Sequence, residues 1–455
     1  MKSTIHTLLR PLALGVLLAS PLAMQQAHAE NLQQIFDLAS KKDPEILGAR
    51  AKYDATHTLL DQGKSLLLPT ISATGSESRD TSGLATTPPP TIHAAEHSFG
   101  DGYITKAYGL NLTQAVLNFK AWYSYQSAKK GDDGALLTLQ QSEQALIIKV
   151  ATAYTNVLRS KANLASFITE EKAAQQVLEQ TKQRFDVGLV AITDVYDSQA
   201  SADLAAVNTL TEANNLRQRL DTLGAITGLK YMDVDSLSDD YPIVAVNPAT
   251  PDAWIKIAEE SNLAIKIAAL DLESKTYDAK AAKSDYYPTV SLTTTYNWTQ
   301  SGNPFSFTPG LATEGSSVKL NLTIPLYTGG LTNSRMKQAN YTRDASEDAL
   351  LKARRDNTVG ASNAYRSVET DVKAVAARAQ AIKSAQSSMD ATRTGAEVGT
   401  RNIVDVVLSQ RSLFQAQRDY ANARIQYVMD ILTLKQAAGV LSPQDVIDLN
   451  QWLKP

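Results

Sequence analysis

The chain has no cysteine among its 455 residues, so it has neither a disulfide framework nor a thiolate metal site. Its five histidines form no HExxH pair. His93 and His97 stand four apart but fall in a loop-like stretch beside Pro90, without the helix a ligand pair needs. No GxSxG elbow occurs. Gly63-Lys64-Ser65 ends like a phosphate loop, but Thr58 occupies the place of its first glycine, and the matching Lys283-Ser284 follows Ala282. These absences leave no catalytic residue, metal ligand or cofactor site, and the chain reads as a non-enzyme. A net charge of −3 without a basic patch argues against nucleic acid as a partner. After residue 29 no apolar run is long enough for a transmembrane helix, which leaves β-strands as the only way into a membrane.

What is present starts with a leader. Lys2 and Arg10, the apolar run Leu12 to Leu22 and Ala27-His28-Ala29 have the order of a secretory signal peptide over 1–29. Cleavage there removes two cations and no acid, so the mature chain is slightly more acidic.

The rest repeats itself. Val187-Gly188-Leu189-Val190-Ala191-Ile192-Thr193-Asp194-Val195 returns 211 residues later as Val398-Gly399-Thr400-Arg401-Asn402-Ile403-Val404-Asp405-Val406. At the same spacing Ala153-Tyr154 matches Ala364-Tyr365, Ser198-Gln199 matches Ser409-Gln410, and Gly228 matches Gly439. Upstream the spacing becomes 210 for Leu110-Asn111-Leu112-Thr113 and 219 for the block from Lys64 to Ser72, as when loops vary between persisting elements. We read two tandem repeats, 30–228 and 252–439, with a connection over 229–251 and a terminal segment over 440–455.

Each repeat has the same internal order. A helical pattern from Asn31 to Leu67 ends at Leu68-Pro69, and one from Asp252 to Asp285 ends at Tyr287-Pro288, because the residue before proline leaves the α region. Strict alternation follows. Val290, Leu292, Thr294, Tyr296 and Trp298 face one way; Ser291, Thr293, Thr295, Asn297 and Thr299 face the other. Strands are predicted near 70–78, 106–115, 289–299 and 316–326. Their polar face is uniformly small and aromatics gather at their ends, a composition suited to lipid outside and water inside. Phe119 to Phe185 then lacks proline, and Leu146, Val150, Ala153, Val157, Ser160, Leu164 and Phe167 make a heptad seam. Such a helix is about 100 Å long. It turns at Val187-Gly188 and returns from Ile192 to Gly228.

Four strands cannot close a membrane barrel, and open edges in lipid cost several kcal/mol per unpaired backbone group. Pooling the strands of three chains gives twelve. A periplasmic coiled-coil adaptor is the alternative; it accounts for the hairpins but not for the aromatic-edged strands or the repeat.

These residues resemble the TolC family of outer-membrane efflux and type I secretion channels. The motifs that carry the resemblance are Arg184-Phe185-Asp186-Val187-Gly188-Leu189-Val190-Ala191-Ile192-Thr193-Asp194-Val195, its partner from Val398 to Val406, and Ile324-Pro325-Leu326-Tyr327-Thr328-Gly329-Gly330. The resemblance spans about 31–455. It implies an α+β membrane protein: a homotrimer whose β-barrel, four strands per chain, sits in outer-membrane lipid and continues as a periplasmic α-helical barrel of coiled-coil hairpins with a mixed α/β equatorial collar. It implies export of proteins or small molecules with a periplasmic adaptor and an inner-membrane ABC, RND or MFS pump.

The resemblance also places Thr193, Asp194 and Arg401 at links that close the periplasmic mouth, and Asp405 at an acidic ring. Adaptor docking is expected at Val187, Gly188 and Leu189 and at Val398, Gly399 and Thr400. Two positions depart from the family pattern: Ala396 replaces a tyrosine of the closing link, and Leu408 replaces a second aspartate.

Overall fold

A computed structural model describes residues 31–80, 103–301 and 312–454. The signal peptide, His93, His97 and most of both strand-connecting loops lie outside the described residues.

Each helical pattern before a strand pair divides in two. The first becomes α1 (Leu32–Lys42) and α2 (Pro44–Ser65), and the second becomes α5 (Pro251–Ser261) and α6 (Leu263–Lys283). The breaks have local causes. Asp43 is extended and Pro44 supplies a helical φ at the first position of α2, so the chain restarts there. At the second break Asn262 caps α6, its side chain accepting from Ala264 N and Ile265 N.

Strands β1 (Thr70–Asp80), β2 (Tyr103–Leu117), β4 (Thr289–Ser301) and β5 (Ala312–Thr323) form one antiparallel sheet in the order β1-β2-β4-β5. The fourth strand ends at Thr323 rather than 326, since Pro325 has no N–H to donate to the ladder. The central β2–β4 pairing joins the two halves of the chain.

The register sorts the faces. Ile71, Leu112, Thr294 and Val318 share one row; Thr70, Thr113, Thr293 and Lys319 share the next, on the opposite face. Ile71, Val318 and Leu320 are 73%, 70% and 69% exposed, so among the described residues no protein core covers this apolar face. A sheet folded onto a soluble core would bury these residues, so the exposure favours a lipid-facing reading. Aromatics collect where the sheet meets the helices. Phe119 and Tyr287 pack edge to face at 5.7 Å, and Trp122, Tyr286 and Tyr327 stay exposed beside them. A belt of this kind suits a membrane interface.

The long helices run unbroken: α3 (Phe119–Asp186) has 68 residues and α7 (Leu331–Glu397) has 67. Their return partners are α4 (Ile192–Thr227) and α8 (Ile403–Ala437). At 1.5 Å per residue each long helix measures about 100 Å. The phosphate-loop look-alike resolves into packing, for a Cβ on Gly63 would stand 3.1 Å from that of Ala128 on α3.

The core lies midway along the helices. Leu32, Ile35, Val150, Tyr154, Val157, Leu223, Val234 and Ile425 bury one another, and five of the predicted heptad positions, from Leu146 to Ser160, are buried. A smaller cluster of Trp254, Tyr365, Val368, Tyr427 and Leu434 occupies the corresponding place in the second half. The 229–251 and 440–455 segments meet here. β3 (Ser236–Leu237) pairs with β6 (Leu453–Lys454) after α9 (Pro443–Asn450), and Arg424 binds Asp239 at 2.8 Å and the Ser238 carbonyl at 2.5 Å.

One acidic pair sits beside this core. Desolvation, together with hydrogen bonding and repulsion from Asp430 on α8, pushes the Asp371 carboxyl on α7 up to about 7. The folded chain therefore holds a proton that the unfolded chain releases near the ordinary carboxylate value of 3.8. Stability falls as pH rises from about 4 to about 7 on account of this group. Thermal unfolding across that range should show a pH-dependent component that Asp371→Asn removes. An unchanged pH profile in Asp371→Asn would refute the assignment.

Candidate functional site: the helical tips and pore mouth

The tips are two copies of one turn. In the first, Gly188 has φ +77°, its N–H donates to Phe185 O at 2.8 Å, and Leu189 N donates to Arg184 O at 2.9 Å. In the second, Gly399 has φ +79° and Thr400 N donates to Gly395 O at 2.8 Å. Both satisfy the last carbonyls of a helix through a left-handed glycine. A side chain at either glycine would be strained by the backbone alone, although space around both is open. Val187, Leu189 and Val398 are about 70% exposed, so each tip presents an apolar knob rather than hiding it.

The four residues assigned to the mouth all sit just beyond these turns, but they do separate work. Asp194 accepts the Ala191 N–H at 3.1 Å, closing the first turn of α4, and lies favourably at a helix N-terminus. Thr193 is exposed beside it. Asn402 caps α8 by accepting from Asp405 N at 2.8 Å. Within one chain the Arg401 guanidinium, just before the α8 cap, meets Asp405 in the first turn of α8 at 3.8 Å, and no ion pair with Asp194 occurs among the described residues. Any Arg401–Asp194 link therefore has to compete with the Asp405 pair.

Two features here were missed in the sequence. Gly395 is needed for Arg401: a Cβ at Gly395 would stand 2.8 Å from Arg401 Cγ and 3.2 Å from Thr400 Oγ1. The glycine four residues before Gly399 was the available signal. Behind the first tip, buried Ser198 donates to Asp194 O at 2.7 Å and to Thr181 Oγ1 at 3.3 Å, pinning α4 to α3. The repeated Ser198 and Ser409 marked that position without revealing its bond. Further up, Arg418 on α8 binds Glu170 on α3 at 2.5 Å and covers the Phe167 ring at 4.2 Å, both charges buried.

The comparisons with known proteins decide the family. The family model of the outer membrane efflux proteins matches residues 35–229 and again 254–440. The chain belongs to the outer membrane efflux protein family. It is 33% identical over 427 residues to outer membrane protein TolC of Vibrio cholerae, covering 94% of each chain. It is 31% identical to TolC of Escherichia coli over 462 residues, with 98% of this chain and 89% of that protein covered. Among solved structures, the outer membrane protein VceC of Vibrio cholerae superposes with a TM-score of 0.76 at 16% identity, covering 90% of this chain and 96% of that one, which speaks for the fold alone. The chain is an efflux or secretion channel of the outer membrane with a long helical periplasmic part, and a free periplasmic adaptor is not favoured. Its relatives are channels rather than enzymes.

The two tips present their apolar knobs at the end of the helical hairpins, and docking of a periplasmic partner there, as the proposal below has it, can be tested by substitution. Leu189→Ser and Thr400→Val leave both turning glycines in place. Each should lower export severalfold at normal expression, measured as the rise in cellular sensitivity to an exported compound. Unchanged export in both would place docking elsewhere.

Proposed function

We propose that three copies pool their sheets into one twelve-stranded barrel in the outer membrane. The α3–α4 and α7–α8 hairpins of those copies then form a continuous duct through the periplasm. The observation that carries this reading is the four-stranded sheet itself: β1 and β5 leave both edges unpaired while the apolar face is exposed. In lipid each unpaired backbone group costs several kcal/mol, and ring closure between chains removes every edge. We take 30–228 and 252–439 as tandem repeats after a cleaved 1–29, with the 229–251 and 440–455 segments as a collar.

The duct carries proteins or small molecules outward, handed to it by an inner-membrane ABC, RND or MFS pump through an adaptor seated on the tips. Thr193 and Asp194 of one hairpin and Arg401 of another close the mouth, and Asp405 contributes one carboxylate per chain to a ring that favours cations. Arg401 alternates between Asp405 of its own chain and the closing link. Purified protein in planar bilayers tests this reading: trimers should insert and conduct, with cations favoured. Failure of detergent-extracted protein to conduct would refute it.

A further inference from the structure

The hydroxyl-bearing face of the sheet is almost free of charge. Over the rows from Thr70 to Ser78 it carries Ser72, Thr74 and Ser76 on β1, Thr105, Asn111 and Thr113 on β2, and Thr293, Thr295, Asn297 and Thr299 on β4. On β5 the same face shows Ser317, Gly315 and Thr313, and one exception, Lys319. Lys319 stands in a row with Thr70, Thr113 and Thr293 and is the one ionisable side chain on that face among these described rows. It is exposed, and among the described residues its amino group has no carboxylate partner. The opposite face differs: its charges, Glu77, Arg79, Lys106 and Glu314, lie towards the far end of the sheet, where Glu77 meets Lys106 at 3.9 Å and Glu314 accepts from Tyr296.

We propose that Lys319 forms a cationic ring of three at the base of the barrel lumen, which attracts anionic solutes and repels cations. This rests on the trimeric barrel of the preceding section, and the experiment below separates the two. Lys319 is four residues from the helical end of β5, so the ring lies where the helical duct opens into the barrel. Its sign opposes that of the Asp405 ring at the other end of the duct. A solute leaving the cell therefore passes an acidic ring first and a basic ring second, and polyanions are held at the second.

An edge-strand lysine has another use, to keep strands of separate molecules from pairing. That use requires the charge on the edge strand β5 itself; an ionic filter depends only on the charge facing the lumen, whichever strand of the row carries it. The two readings therefore diverge in one measurement. With three charges about 10 Å from the axis and a Debye length of about 10 Å at 0.1 M salt, the cation-to-anion permeability ratio should rise about fourfold when they are removed. At 1 M salt the Debye length is about 3 Å and the change should nearly vanish.

The experiment is the reversal potential of wild-type and variant channels across a KCl gradient in planar bilayers. Lys319→Gln should raise cation preference at 0.1 M and not at 1 M. Lys319→Glu should raise it further, and Lys319→Arg should leave it unchanged. Thr293→Lys in the Lys319→Gln background returns the charge to the same row and face one strand away, and should restore the wild-type reversal potential. Unchanged potentials in both Lys319→Gln and Lys319→Glu, in channels that otherwise conduct, would overturn the ring. A shift that Thr293→Lys fails to reverse would overturn it as well. Absence of conduction in the wild type would instead count against the trimeric barrel.

Discussion

Arg401→Ser should open the periplasmic mouth, raising single-channel conductance in planar bilayers. The reasoning is one of small increments. An exposed ion pair contributes about 0–1 kcal/mol, and Arg401 is 62% exposed, so no single link holds the duct shut. Three links acting on one closed ring contribute up to about 3 kcal/mol, which shifts the ratio of open to closed mouths by up to about a hundredfold. In the proposed duct, links of this size would keep the mouth closed at rest and still yield to a docking partner. In the proposed mouth, Ala396 in place of the linking tyrosine leaves fewer restraints, so each Arg401 would carry a larger share of what remains, and Leu408 in place of a second aspartate leaves the acidic ring single.

The 3.8 Å pair with Asp405 adds a second expectation to the same experiment. Asp405→Ala removes a carboxylate from the ring and also frees Arg401 for the closing link. Cation selectivity should fall while the closed state lasts longer. Unchanged conductance in Arg401→Ser together with unchanged selectivity in Asp405→Ala would show that the mouth is built from other residues.

The largest expected loss of stability lies higher up, at Arg418 and Glu170. These two charges are 8% and 9% exposed and 2.5 Å apart, on helices from different halves of the chain. Ser166 and Gln415 take further guanidinium protons, and the Phe167 ring covers it. A buried pair contributes little relative to an apolar replacement, but removal of one partner strands the other in a poorly solvated site, at about 3–5 kcal/mol. Glu170→Ala and Arg418→Ala should each destabilise the α3–α8 packing by that amount in denaturant unfolding followed by helical circular dichroism. The double variant Glu170→Met with Arg418→Met should recover most of it. A loss under 0.5 kcal/mol in both single variants would mean that water reaches the pair.

The fold was legible where the sequence pattern is regular and local. Period-2 alternation located four strands to within a few residues, and the proline-free run from Phe119 located a helix of 68 residues. The breaks at Asp43 and Asn262 were not seen. A single extended residue with a cap interrupts a helical pattern without disturbing its apolar spacing, so periodicity carries no trace of it. At the tips, the turning glycines and the placement of Asp194, Arg401 and Asp405 past them were readable from the repeat. The choice of Asp405 as the partner of Arg401 was not, because it depends on rotamers across one helical turn. The Arg418–Glu170 pair joins residues 248 positions apart and the β3–β6 pairing joins residues almost as distant, where spacing along the chain has nothing to say.

The central claim is that the open edges β1 and β5 pair between chains and close after three. The absence of cysteine makes a direct measurement possible, since engineered thiols will be the only ones present. Thr74→Cys on β1 is combined in turn with Thr313→Cys, Ser317→Cys and Asn321→Cys on β5, and outer membranes are oxidised. A disulfide requires Cα atoms within about 7 Å, whereas β1 and β5 of one chain are three strand spacings, about 14 Å, apart. At the correct register the account predicts linked species that stop at three chains, with nothing larger. Monomers at every register, or a ladder running past three, would contradict it.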